Sequence, residues 1–431
     1  MANGADTDRP PGPRGHWLMG NIPEYDADRI GFLRRNHDEY GDVFSYDERT
    51  VFVIDPDLTH DVLARTNRDF LTELAPFDTR RDIDQAAEQG DSWMSARRTV
   101  WPGLSHSAAT EADHRTVEIL DTVTGEVAGR ECDVLTLTRT FTARSISEYC
   151  FGPDSAGIPE LLDEALDVTR PFSGTSYQFP AWVPLRRNRR FFRAHRHTIE
   201  TLYGIVRRRR ASANGTSQGD LLSMLLGVHP EMPDRTVMST LRGILMGGHG
   251  VPASALSSIV RELARRPRLA ADLRAEAGGP AGAEAPPTAR LPLAEAVVKE
   301  VLRLYPPVWL MTRTARTATS LGKWSLRPGD DVLLNPYLIH RDPRWWPRPD
   351  EFDPARWLGG QAAPGSAYLP FGAGPRVCLG SALTMRQLTL ATSRLAQRFT
   401  IESPNAEAAD PEFLGRLAPT GLRAQFRPIS G

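Results

Sequence analysis

Ten consecutive residues, Phe371-Gly372-Ala373-Gly374-Pro375-Arg376-Val377-Cys378-Leu379-Gly380, put a soft nucleophile, a guanidinium and three glycines in one loop. Gly372 and Gly374 allow backbone turns that a Cβ forbids, and so let the chain come close to a flat group. Apolar residues recur at helical spacing over 379–398. Cys378 is therefore expected at a helix N-terminus, where unpaired N–H groups and the positive end of the dipole favour an anion. That position predicts a lowered thiol pKa and a thiolate fit to ligate a metal. Phe371 can lie against a planar cofactor, Gly380 leaves room for one, and Arg376 offers a planar fork of donors to a carboxylate. A haem meets all of these terms, with Cys378 as the ligand to its iron. An inert cysteine beside a turn is the ordinary alternative. At average residue usage, however, six fixed residues in the order F-G-x-G-x-R-x-C-x-G arise by chance with a probability on the order of 10⁻⁵.

This loop resembles the cysteine motif of the cytochrome P450 superfamily of haem-thiolate enzymes, and other stretches share the resemblance. Trp93 and Arg97 stand four apart on one helix face; they are similar to the family's W-x-x-x-R pair, whose two donors hold a haem propionate. Glu300-Val301-Leu302-Arg303 matches its E-x-x-R. Alone, an i,i+3 ion pair contributes about 0.2–0.5 kcal/mol. With Arg356 of Phe352-Asp353-Pro354-Ala355-Arg356-Trp357 as third partner, the resemblance implies a buried structural network behind the cofactor. Tyr305-Pro306-Pro307-Val308-Trp309-Leu310-Met311 ends a helix and begins an extended segment. The resemblance implies that this segment crosses above the haem, with Val308 and Leu310 touching substrate and Arg313 reaching a propionate.

One departure from the family pattern stands out. The helical pattern over 234–266 corresponds to the family's central helix, where an acid followed by an alcohol feeds protons to the oxygen-activating site. Here the text is Gly247-Gly248-His249-Gly250-Val251-Pro252. Gly250 holds the acid position and Val251 the alcohol position, and neither side chain can donate a proton. His249 points about 200° from residue 251 around a helix, so it faces away if Val251 faces the haem. Pro252 has no N–H and clashes with the carbonyl of Gly248, which predicts a kink and a carbonyl free to hold water. Gly250, Val251 and Pro252 are, with Cys378, the candidate catalytic positions; Gly247, Gly248 and Val251 are expected to line the substrate pocket. Residues 74–92 and 171–184 are expected to shape it further.

The elements that must position these residues are mostly helices. Residues 30–40 and 57–65 have helical patterning, and 43–46 with 51–54 read as a strand pair. The middle of the chain is helical by periodicity. The expected fold is mostly α with a small β lobe, one domain over 16–431 after a disordered lead at 1–15. A net charge of -1 excludes bulk affinity for nucleic acid. Ten arginines lie between residues 186 and 210, read as a solvated helix face. The only lysines are Lys299 and Lys323, and with abundant Ala, Gly and Pro this suits a GC-rich, actinobacterial-type genome. Cys132, Cys150 and Cys378 form no disulfide framework, and no run of eighteen apolar residues is present.

The resemblance thus implies a cytoplasmic, monomeric haem b (iron protoporphyrin IX) monooxygenase with no membrane anchor. It would act on a small hydrophobic specialised metabolite, the wording around 304–307, 336–343 and 369–371 being similar to that of terpenoid oxidases. No reductase sequence is attached, which implies a ferredoxin and ferredoxin reductase as electron donors. The missing acid and alcohol keep two alternatives open: a haem-thiolate enzyme doing non-hydroxylating chemistry, and a haem sensor or carrier.

Overall fold

Proline and aspartate set the first boundaries. In the computed structural model, which describes residues 9–72, 83–173, 183, 185–212, 219–278, 291–359, 365–413 and 415–429, α1 (Ile22–Ala27) and α2 (Arg29–Tyr40) precede β1 (Val43–Ser45) and β2 (Thr50–Val53). Next come α3 (Pro56–Ala64) and β3 (Phe70–Thr72). Asp28 and Asp55 cap α2 and α3 by accepting from the N–H groups of Gly31 at 2.9 Å and Leu58 at 2.7 Å. The lead is not wholly disordered as expected. Residues 1–8 lie outside the described residues, but Ser45 donates from its N–H to Pro11 O at 2.8 Å and from its hydroxyl to Pro10 O at 2.7 Å. Three prolines reduce the entropy lost in holding that segment against β1.

The middle is helical: α4 (Ile83–Val100), α5 (His106–Glu111), α6 (Asp113–Gly125), β4 (Glu131–Asp133), α7 (Val134–Phe151), α8 (Ile158–Ser173), α9 (Arg186–Ala211), α10 (Leu221–Val228) and α11 (Asp234–Arg265). The chain continues through α12 (Pro267–Gly278), α13 (Pro292–Leu304), β5 (Met311–Ala315), β6 (Thr319–Leu321), β7 (Trp324–Leu326), β8 (Asp331–Leu334) and α14 (Pro336–Ile339). After the cysteine loop come α15 (Ser381–Arg398), β9 (Phe399–Glu402), β10 (Glu412–Phe413), β11 (Leu417–Ala418) and β12 (Arg423–Pro428). The largest sheet has the order β1-β2-β8-β5-β3, with only β2 and β8 parallel. The fold is therefore mostly α with a small β lobe.

α11 is the axis. Ile259, Val260 and Leu263 of its C-terminal half pack with Phe141 of α7, Val301 of α13 and Leu388 of α15; Leu241 and Leu245 of its N-terminal half pack with Leu202 of α9 and Leu222 of α10. Among the described residues it is the one helix long and apolar enough to cross a bilayer, and most of its apolar stretch is buried inside the protein. The arginine run needs one correction. Arg186, Arg189, Arg190, Arg193 and Arg196 are exposed as expected, but Arg209 is buried and donates to Asp154, Asp220, Ser223 and the carbonyl of Phe151. A carboxylate lies within reach on each side, so its burial leaves no charge uncompensated.

Candidate functional site

The cysteine loop is turned by its glycines. Gly372 has φ +68° and Gly374 φ +69°. A Cβ on Gly374 would stand 2.3 Å from the carbonyl oxygen of Leu63, so only glycine lets the loop lie against the end of α3. The N–H of Cys378 donates to Phe371 O at 2.9 Å, closing the turn that presents the sulfur. Phe371 leans on the core cluster beside Phe352 and Met385. α15 begins at Ser381, three residues after Cys378, and the thiol's pKa is not lowered as expected. Burial pushes it up, against the pull of the Gly380 N–H and the Arg97 guanidinium. Without a metal's charge, desolvation outweighs both.

α11 turns a bare face to this region. Gly243 and Gly247 are exposed and Val251 is half-buried, although the same helix is otherwise buried from Pro252 to Leu263. A Cβ on Gly247 would meet no atom within 4 Å. A Cβ on Gly243 would stand 2.9 Å from the indole of Trp93, so glycine there lets the ring edge pack close against the helix. Leu379 and Leu383 join the cluster that holds Trp93, Leu241 and Leu245, bringing the cysteine side and α11 together. One turn along α4 from Trp93, Arg97 is only 8% exposed, with its guanidinium 5.9 Å from the Trp101 ring centroid. Among the described residues no carboxylate faces it; burial lowers its pKa, and only ionisation of Cys378 would oppose that.

Two further arginines border the same region. Arg313 on β5 donates to Thr66 Oγ1 at 3.0 Å. Arg376 donates to Asn67 Oδ1 and to Gly90 O, each at 3.1 Å. Val308 and Leu310 are accessible while Trp309 between them is buried, the alternation of an extended segment. Residues 74–82, 174–182 and 184, expected to shape the pocket, lie outside the described residues.

Behind the loop, Glu300, Arg303 and Arg356 come together. Glu300 accepts from Arg303 at 2.8 and 2.9 Å, from Arg356 at 3.0 Å, and from Trp357 Nε1 and the Asp353 N–H at 2.9 Å. Arg303 also donates to the carbonyls of His340, Pro349 and Glu351. His340 is fully buried, and burial pushes its pKa down to about 3. Its Nε2 accepts from the Leu369 N–H at 2.8 Å, so its Nδ1 is the nitrogen that donates to Arg303 O at 3.1 Å. The neutral ring thereby ties the network to the segment leading into the cysteine loop.

The expected pocket wall on α11 needs one correction. Gly248 does not line it: a Cβ there would stand 2.6 Å from Ile146, so glycine lets α7 pack close. Gly250 is buried on the side of α11 that meets Leu166 and Arg416. His249 faces away from Gly247, with Nδ1 3.2 Å from Thr142 Oγ1 and Nε2 3.3 Å from Asp163; burial lowers its pKa despite that carboxylate. Pro252 does not end the helix, which runs on to Arg265, but it gives the Gly248 carbonyl no donor.

A haem fits these residues. The bare glycine face and the partly accessible Cys378 suit a flat group between them. Arg97 is a buried cation without a carboxylate, which a propionate would supply. A cysteine-presenting loop backed by a closed ion network, in a helix-rich fold with a glycine-bearing central helix, agrees with the haem-thiolate family that the sequence resembles. The sequence profile of the family Cytochrome P450 matches residues 10–421, and the chain belongs to that family.

Among curated proteins, it is similar to cyclooctatin synthase of Streptomyces melanosporofaciens, with 36% identity over 278 residues, 62% of this chain and 60% of that one. That match spans less than two thirds of the relative's length. Cyclooctat-9-en-7-ol 5-monooxygenase of the same organism is 28% identical over 380 residues, 82% of this chain and 80% of that one. Among solved structures, the cytochrome P450DA heme domain superposes with a TM-score of 0.81 at 20% identity, covering 98% of both chains.

Proposed function

We propose that the protein is a monooxygenase of a hydrophobic metabolite of terpenoid class, drawing electrons from separate carriers of the ferredoxin and ferredoxin reductase type. The observation that carries this reading is Cys378, presented by the turn at Gly372 and Gly374 and coupled to the buried Arg97, which has no carboxylate among the described residues. When bound, the haem supplies oxygen activation, and a thiolate ligand favours O–O cleavage. The protein's own residues orient and exclude. Trp93 and Arg97 anchor one propionate, with Arg313 and Arg376 on the same border. Gly247, Val251, Val308 and Leu310 form apolar wall, which keeps bulk water from the reacting carbon.

Proton supply sets this chain apart within its family. Neither Gly250 nor Val251 has a proton to give. The Gly248 carbonyl, without a donor from Pro252, can accept from an ordered water. A substrate hydroxyl is a second source; the relative's name, cyclooctat-9-en-7-ol 5-monooxygenase, describes a substrate already carrying one. The absent pair also favours a second reading, in which the haem drives oxidative cyclisation, coupling, rearrangement or a peroxide-dependent oxidation.

The test is turnover of cyclic diterpene alcohols under isotopically labelled dioxygen, with surrogate ferredoxin and reductase. One labelled oxygen per product supports the monooxygenase. An unlabelled, dehydrogenated or cyclised product establishes the second reading. No product with either electron donors or peroxide establishes a carrier or sensor.

A further inference from the structure

Beside Gly250 the molecule holds a cavity of about 110 Å³, lined in part by Gly250 and Ser254 of α11, Arg139 of α7, Asp167 of α8, and Arg416 and Thr420 of the C-terminal hairpin. A volume of that size takes about three or four heavy atoms. Arg139 donates to Asp163 at 2.8 Å and to Asp167 at 3.0 Å, and Arg170 faces Glu412 at 4.0 Å. Arg416 has no acid partner among the described residues, and the charge of Arg139 presses on it. Arg139 and Arg170 thus have carboxylates of their own, and Arg416 is the lining guanidinium without one among the described residues.

The Arg416 guanidinium is aimed at a particular place. A Cβ on residue 250 would stand 3.0 Å from Cζ and 3.1 Å from Nε of Arg416. The guanidinium thus lies over Gly250 in the space a side chain there would take, and it would have to shift by a few tenths of an ångström, with Leu166, before a carboxylate at residue 250 could pair with it. Thr420 Oγ1, on the same wall, is buried without a hydrogen-bond partner among the described residues. A planar fork of N–H donors without an acid partner among the described residues, a spare hydroxyl and room for a few atoms suit a small monocarboxylate. A dianion would leave one negative charge uncompensated beside Asp167 and Glu412.

We propose that this cavity binds a small monocarboxylate of the formate or acetate class on Arg416 and Thr420, beside Gly250. Its function as a relay rests on the monooxygenase reading. The bound carboxylate takes a proton from solvent past Arg170 and Glu412 and gives it up again toward α11, returning to the anion, so none of it is consumed.

The test is equilibrium dialysis of radiolabelled formate against the haem-loaded protein. One formate per chain is expected. Affinity should fall at least about tenfold in Arg416→Leu, and equally in Gly250→Asp, which puts its own carboxylate on the guanidinium. Thr420→Val should weaken binding by about threefold, the loss of one neutral hydrogen bond. If Arg416→Leu does not fold, Gly250→Asp alone decides. No binding at tens of millimolar overturns the site, and so does binding unchanged in the variants, which marks an adventitious additive only. Dialysis requires no turnover, so the site stands or falls apart from the proposed reaction. For the relay, formate should raise product per electron in the native protein and not in Gly250→Asp; binding without that gain overturns it.

Discussion

Arg303 and Arg97 are both sunk in the protein, at 0% and 8% exposure, yet they are provided for in opposite ways. Arg303 places its donors on Glu300 and on the carbonyls of His340, Pro349 and Glu351. Arg97 has no carboxylate among the described residues. The first arrangement is closed, so it adds rigidity and asks for nothing. The second is open, and a buried open cation is stable only if a ligand completes it. The same contrast separates Arg209, paired with Asp154 and Asp220, from Arg416 beside the bare Gly250. Closed clusters mark scaffold, and open ones mark where something binds.

The largest effect should come from opening the closed cluster. Glu300→Ala strands Arg303 and Arg356 without their shared carboxylate, and should cost about 3–5 kcal/mol of stability in denaturant unfolding. A cost under about 1 kcal/mol would dissolve the comparison. Arg97→Leu should act in the other direction on the haem-free protein, leaving it as stable or more so, because it removes an uncompensated buried charge. In the loaded protein the same change should weaken haem retention by about 1.5–3 kcal/mol, read as faster transfer to a haem-scavenging globin. Equal destabilisation of both forms would contradict the assignment of Arg97 to a ligand.

His340 sharpens the closed side through pH. Its folded pKa is held at about 3 by burial against an ordinary 6.5. Between those values the unfolded chain binds a proton that the folded chain cannot. Stability from this group is therefore complete above pH 6.5 and falls by about 1.4 kcal/mol per pH unit as pH drops toward 3. His340→Gln should remove that part of the slope; an unchanged slope would show the ring is not held neutral. The smallest effect concerns the open side. Gly250→Glu with Val251→Thr sets an acid against Arg416 and an alcohol beside it, and should raise product per electron by about two- to fivefold, within 1 kcal/mol. No change would favour a native reaction that uses no such pair.

What the sequence made legible is what lies close along the chain. The cysteine loop, Trp93 with Arg97, and Glu300 with Arg303 are each set by spacings of a few residues, and each is found at one place in the fold. The helix over 234–265 and the strand pair near residue 50 were readable from periodicity for the same reason. Partners far apart in sequence left no local signal. Asn67 meets Arg376 from 309 residues away, and the His340 ring reaches Leu369 across 29. Gly243 reads as an ordinary weak helix residue until Trp93 is seen to lie on it. The thiol pKa of Cys378 was misjudged because a helix end nearby is visible in sequence and burial is not. Gly248 was misplaced for a related cause, since which neighbour presses on a glycine is a property of packing.

The central claim is that Cys378 is the thiolate ligand of a haem iron. The most direct test is the absorption spectrum of the reduced, carbon monoxide-bound protein beside that of Cys378→His. A thiolate-type Soret band in the native protein, replaced by a histidine-type band in the variant, is the predicted result. A histidine-type band in the native protein, or the same band in both, would contradict it.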